Sequence, residues 1–352
     1  MQPSANVPFI EYDPATGSAL GWRIWDAVTN LVRQSGAISL SLPWQATGTA
    51  PSVTTNAIAA PDNSMTATRV TFAAADSRII QGLGFNPARN TTYTASVFAR
   101  PVTTGTLNKV RIAVYDGASQ INSDDFTLSP GWQRISFTFT TSATAPTLDP
   151  TFQVRNQFSA SVANDVYLWG AQLNTGLLAP YVPTGALTAS STADVASITG
   201  AAFSGIYNAS ALTVYAEVAR GYSGNFQSYP NIYQFSDGTS SNTIPMYGVL
   251  GNSQITNYDI KSGGVAQNDY VQRSHSTPAP FKAVQALAAN DSIFGTDGVL
   301  TTQDTTITMP VGINQMRIGS SFSVGSQWNG YIRELAIFKS RRPNANLQSM
   351  TQ

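Results

Sequence analysis

Short runs in which apolar and polar residues alternate, each cut off by a turn dipeptide, recur along this chain and leave it few folds to choose from. In ISFTFT, Ile135, Phe137 and Phe139 share one face and Ser136, Thr138 and Thr140 the other, which is how a strand with one solvated face reads. KVRIAVYD sets Val110, Ile112 and Val114 against Arg111, Ala113 and Tyr115, and Leu212, Val214 and Val218 alternate with Thr213, Tyr215 and Glu217. Asp116-Gly117, Pro130-Gly131, Asp237-Gly238 and Asp297-Gly298 read as hairpin turns, since these pairs tolerate the backbone of tight reversals. Many short strands joined by tight turns predict an all-β chain of antiparallel sandwiches.

The composition agrees. With 352 residues, 42% of them hydrophobic, the chain can bury two ordinary cores, while its 11% charged residues fall far below the usual share. Ser, Thr, Asn, Gln and Gly supply the polarity, which favours strands and turns and leaves few Glu-Lys pairs to support helices. One short helix is expected at the end, with Asn344 capping it after Pro343 and the turn running through Leu347 toward Met350.

Nineteen basic residues balance nineteen acidic ones and no Lys/Arg run forms a stripe, so nucleic acid is not an expected partner. Without cysteine there is no disulfide or thiol chemistry, which suits assembly in a reducing cytoplasm. Met1 is followed by Gln2, Pro3 and Ser4 rather than a basic and apolar leader, and no 18-residue apolar run occurs. The expectation is therefore neither a signal peptide nor insertion into a membrane.

A module boundary falls within residues 166–197, VYLWGAQLNTGLLAPYVPTGALTASSTADVAS. Val166, Leu168 and Leu173 with Tyr167 and Trp169 make an apolar strand, and Pro180, Pro183 and Gly185 then end it. The wording VYLWGAQLNTG, YVPT and ADVASITG resembles a segment of bacteriophage and prophage virion proteins, in which a carbohydrate-binding-type jelly roll precedes a concanavalin- or laminin-G-like sandwich. EYDPATGSALG at 11–21, TNL at 29–31, residues 91–100 and GWQRISFTF at 131–139 extend the resemblance through the first module. ASALTVYAEV from Ala209, FKAVQALAANDSIFGTDG from Phe281 and NGYIRELAIFKSRRPNANLQSMTQ from Asn329 carry it through the second. Only residues 32–65 and 219–275 match weakly.

The resemblance implies an extended attachment segment at 1–23, a jelly roll at 24–183 and a concanavalin-like sandwich at 184–352. It also implies a function: a fibre, spike or appendage subunit of a virion, homotrimeric, joined to other virion proteins through residues 1–23 and adhering to a host-surface glycan. A capsid or collar decoration protein with a purely structural role is the alternative. A polysaccharide depolymerase is the third reading.

The residues argue against catalysis. Glycoside hydrolysis needs two carboxylates flanking the scissile bond, yet the chain has three glutamates, Glu11, Glu217 and Glu334, none on one strand with another. Glu217 and Glu334 read as solvated positions. His275, the one histidine, lies in the Ser/Pro-rich loop RSHSTPAP without a GxSxG elbow, so it reads as a loop residue rather than a triad member. One histidine cannot build a zinc site.

Calcium has thin support. Oxygen ligands are available at Asn290 to Gly298 and Ser123 to Phe126, but Asp297-Gly298 is explained as a turn and Asp124-Asp125 as a polar loop. Related jelly rolls hold calcium through an aspartate in the closing strand, where this chain reads YLWGAQL. No cofactor is expected.

Sugar binding needs aromatic faces and neighbouring polar groups. Trp132 and Trp169 sit where the resemblance places core tryptophans, so they are expected to pack. Trp44, Trp328, Tyr222 and Tyr229 fall in predicted loops or strand ends, match no core position of the family, and become the candidate ligand or interface residues. Trp22 and Trp25 depart from the family's lead-in and read as packing or assembly residues.

Overall fold

The computed structural model describes residues 10–12, 17–103, 109–156, 164–221, 229–251, 254–256, 260–267, 273–274, 279–323 and 325–352. They are nearly all strand, in antiparallel sheets with two short helices, as the alternation predicts. The chain divides into two compact units, the first at residues 27–191 and the second at 192–352 together with residues 18–26 and the strand Ile10–Tyr12.

Two large sheets and a two-stranded one, Val28–Asn30 with Ala189–Ser191, make the first unit. The front sheet runs, in spatial order, Gln120–Asn122, Lys109–Tyr115, Thr151–Asn156, Arg78–Gly82 and Trp44–Thr47, with Phe126–Thr127 also paired to Lys109–Tyr115. The back sheet runs Gln133–Thr140, Thr92–Pro101, Asn164–Thr175, Ala67–Phe72 and Ser52–Ile58. Val110, Ile112, Val114, Ile79, Phe152 and Val154 meet Val97, Ile135, Val70, Leu168 and Leu173 in one core. These are the apolar phases of the alternating strands, as a two-sheet packing requires.

Asp116-Gly117 does reverse the chain, joining Lys109–Tyr115 to Gln120–Asn122. Pro130-Gly131 does not. It lies between Phe126–Thr127 of the front sheet and Gln133–Thr140 of the back sheet, so it carries the chain from one layer to the other.

The second unit also packs two sheets. One runs Ile10–Tyr12, Ala19–Ile24, Gly330–Phe338, Ala211–Arg220, Phe281–Ala288, Asp291–Thr296 and Val299–Leu300. The other has Ala196–Thr199, Gln315–Ile318, Asn231–Ser236, Thr243–Gly248, Gln254–Thr256 and Arg273–Ser274 in line. Between them lie Leu212, Val214, Val218, Tyr233, Phe235, Met246, Phe294 and Trp328. Asp237-Gly238 turns one hairpin, and Asp297-Gly298 another with positive φ at both residues, 45° and 76°. That backbone is the one a two-residue turn between twisted strands favours.

The described part of the lead-in is built into this unit. Trp22, Arg23 and Ile24 pair with Ile332, Tyr331 and Gly330, and Ile10–Tyr12 adds the edge strand. Trp22 packs against the core, and Trp25 lies 5.8 Å from the Tyr331 ring. The packing reading of these tryptophans therefore holds within their own chain.

The terminal helix spans Asn344–Met350 and buries Leu347 against Tyr215, Val284, Ala286 and Ile293. Asn344 is inside it, since the cap position belongs to Pro343 and makes no side-chain hydrogen bond. A second helix, Gly200–Ile206, stacks Phe203 on Tyr207 at 5.0 Å. Its Gly, Ala and Ser content hid it from a reading based on apolar periodicity.

Candidate functional site

In the first unit, the two outer sheet faces are treated differently. The back sheet's outer face carries Gln172, Asn174, Arg134, Phe98 and Trp169, and the chain leaving the last strand lies over it. Gln172 Nε2 donates to the Pro180 carbonyl, Arg134 Nη1 to that of Ala179, and Tyr181 packs 4.8 Å from Trp169. Trp169 Nε1 donates to Thr66 and Trp132 Nε1 to the Ala59 carbonyl. Burial pushes the Tyr181 hydroxyl up to about 12. This face is occupied by its own chain.

The front sheet's outer face is a set of cross-strand rows. Register places Thr47 beside Arg78, Arg78 beside Arg155, and Arg155 beside Arg111. The next row is Gln45, Ile80, Gln153, Ala113 and Asn122, and the third is Gly82, Thr151, Tyr115 and Gln120. Directly opposed side chains on one face lie about 5 Å apart, so the rows set guanidiniums, amides, hydroxyls and one phenol around the apolar Ile80 and the buried Ala113.

Local bonds set its geometry. Arg78 Nε donates to Thr47 Oγ1 at 2.7 Å, Arg111 Nε to Asp125 Oδ1 at 3.0 Å, and Arg155 Nη1 to Asn122 Oδ1 at 3.4 Å. Gln153 Nε2 donates to Gln120 Oε1 and Thr151 Oγ1, while Gln153 Oε1 is buried with no donor among the described residues. An unpaired buried acceptor costs about 1–3 kcal/mol, which a donor hydroxyl reaching it would recover. The Arg155 guanidinium is held below its ordinary value by burial first, then by Arg78 and Arg111. Sequence reading missed this face; its signal was the polar phase of three strands, TFQVRN, RIIQG and KVRIAVY, each with an arginine.

The aromatic candidates are placed elsewhere. Trp44 is fully buried, its Nε1 donating to the Gln34 carbonyl and its ring edge-on to Phe152 at 6.1 Å. Trp328 is fully buried too, donating to the Ala219 carbonyl beside Phe281. Neither offers a ring face to a sugar, because each occupies the inward phase or the gap left by a glycine such as Gly330. Tyr229 is half exposed, edge-on to Tyr247 at 6.1 Å. Tyr222 and His275 lie outside the described residues.

Folding brings two glutamates together. Glu217 stands directly opposite Glu334 on neighbouring strands of the second unit, at a bulge that projects Arg333. Arg333 Nη1 donates to Glu217 Oε1 at 2.9 Å, and Lys282 is opposite Glu217 on the other side. The calcium candidates have other partners: Asp125 pairs with Arg111, and Asp297 Oδ1 accepts the Lys282 N–H. Among the described residues no three acidic, histidine or cysteine side chains are grouped to hold a metal.

Residues 30–160, most of the first unit, match the carbohydrate binding domain family. No curated protein matches the chain. Among solved structures, it is similar to the carbohydrate-binding module of a Ruminococcus gnavus sialidase solved with α2,3-sialyllactose, at 9% identity and a TM-score of 0.35, over 41% of this chain and 83% of that one. It is similar to tailspike protein 4 of bacteriophage CBA120 at 10% identity and 0.32, over 42% and 21% respectively. A heptameric pentraxin of Limulus polyphemus gives 12% identity and 0.31, over 40% and 70%. Likeness at this level transmits neither ligand nor activity.

Proposed function

We propose that this chain is a bacteriophage virion protein, a fibre, spike or appendage subunit that adheres to a host-surface glycan without cleaving it. The observation that carries the adhesion is the front face: half-buried rather than crossed by the chain that leaves the last strand, dense in planar amide and guanidinium groups, and placed on the segment that matches a carbohydrate binding domain. Ring hydroxyls are recognised by such convergent donors and acceptors. The virion role is supported by the sequence resemblance. Three copies would multiply weak single-site affinities through effective concentration.

The test is binding of the purified full chain to host cells and to a glycan array, beside a Gln153→Ala, Tyr115→Ala double variant. Saturable binding by the parent and its loss in the folded variant support adhesion. No binding by a folded oligomer transfers the proposal to capsid or collar decoration.

One observation favours a second reading, hydrolysis: the Glu217–Glu334 juxtaposition. Against it, the two carboxylates issue side by side from one sheet face rather than across a bound chain, and Arg333 already engages Glu217.

A further inference from the structure

The row Arg78–Arg155–Arg111 has a feature that saccharide binding alone does not require. Arg155 is flanked in register by an arginine on each side, and like charges directly opposite on a sheet face repel. Lys109 shares the Arg111 strand and face. The carboxylates at hand are few: Asp125 is engaged by Arg111, and Asp76 accepts the Thr49 N–H. Among the described residues, neither Arg78 nor Arg155 has an ion-pair partner.

Their side chains are held by neutral acceptors instead, Thr47 for Arg78 and Asn122 for Arg155, which fixes them without a direct ion pair and leaves the Asp76 carboxylate to offset both from a distance. Two strand spacings, about 10 Å, separate the outer arginines, a width that admits one sugar residue with its substituent. Beside them the Gln153 acceptor and the Thr151 and Tyr115 hydroxyls offer partners for ring hydroxyls. A guanidinium presents paired N–H donors that match a carboxylate in two-point contact.

We propose that the front face selects acidic saccharides, with Arg155 and Arg78 taking the carboxylate of a uronate or other acidic sugar and the amide row taking its hydroxyls. This rests on the reading of the front face as a saccharide site. The repulsion among the arginines is then the cost of an empty anion site, relieved when it fills.

The test uses the full chain, its Arg155→Gln, Arg78→Gln and Arg155→Lys variants, and an array carrying acidic glycans beside carboxyl-reduced or methyl-esterified counterparts. Isothermal titration with the best acidic oligosaccharide and its neutral form follows. The expected result is at least tenfold preference for the acidic form, declining with salt and abolished in Arg155→Gln. Arg155→Lys keeps the charge without the fork and falls between. Because the substitution removes repulsion, Arg155→Gln melts no lower than the parent, which separates a lost site from a lost fold. Equal binding of acidic and neutral forms, or acidic binding that survives Arg155→Gln, overturns this inference and leaves the saccharide reading standing. No glycan bound at all removes both, and displacement of the acidic sugar by duplex DNA reassigns the row to phosphate.

Discussion

Asp194 and Trp25 hold each other by two reciprocal hydrogen bonds: the Trp25 N–H donates to Asp194 Oδ2 at 2.8 Å, and the Asp194 N–H donates to the Trp25 carbonyl at 2.9 Å. The pair fastens the lead-in to the start of the second unit. Burial, the largest influence, raises the Asp194 carboxyl above its usual 3.8; the Trp25 N–H and Arg23 pull it down without cancelling that. A raised acid favours the protonated form in the fold, so stability is greatest below 3.8 and declines as pH rises through the folded-state value. Asp194→Asn keeps the acceptor and removes the buried charge. The variant should melt higher than the parent at pH 7 and match it near pH 3, and a lower melting temperature at pH 7 would refute this.

The tryptophans Trp44 and Trp328 should act as core residues. Replacing either by alanine removes a fully buried ring and its N–H bond, which typically costs about 3–5 kcal/mol. Urea denaturation should show that loss, while glycan affinity of the folded Trp44→Ala protein stays within twofold of the parent. Selective loss of binding at unchanged stability would restore Trp44 as a ligand residue.

What the sequence conveyed follows from what is local. Alternation at Val110, Ile112 and Val114 or at Leu212 and Val214 identified inward faces, because strand periodicity needs no knowledge of the partner strand. The resemblance added the order of the two sandwiches. Trp44 and Trp328 were misjudged because a strand's first residue, or a residue two before a glycine at the start of a strand, looks like a loop position until its neighbours are known. Pro130-Gly131 was misjudged for a related reason: a turn dipeptide does not say whether the next strand joins the same sheet. The arginine row and the Glu217–Glu334 pair are properties of register between strands distant in sequence, which composition and spacing cannot convey.

Gly319 tests how the lead-in is held. It adopts φ of 69°, and a Cβ there would lie 2.5 Å from Ile24 Cγ2, the buried end of the strand Ala19–Ile24. Gly312 has a similar φ of 72° with no atom within 4 Å of its virtual Cβ. Gly312→Ala therefore carries backbone strain alone, about 1–3 kcal/mol, and Gly319→Ala carries the strain plus the clash. Limited trypsinolysis should cut at Arg23 much faster in Gly319→Ala than in Gly312→Ala. Equal cutting would mean that the Ile24 contact does not secure this strand.

The glutamate pair yields the remaining prediction, because its electrostatics differ between the two readings. Glu217 has Arg333 at 2.9 Å and Lys282 opposite, whereas Glu334 faces Glu217, a like charge, and is exposed. As a structural row, Glu334→Gln relieves repulsion and should leave stability unchanged or raise it by up to about 1 kcal/mol. Glu217→Gln removes the ion-pair partner of Arg333 and should lower it slightly. As a hydrolytic pair, both substitutions would abolish a measurable activity, since acid and nucleophile or base are each required. The adhesion reading predicts that the parent releases no new reducing ends from any glycan it binds, over hours and across pH 4–8 (roughly the range over which paired carboxylates exchange acid and base roles). Reducing ends released by the parent and absent from both Gln variants would replace adhesion with depolymerisation.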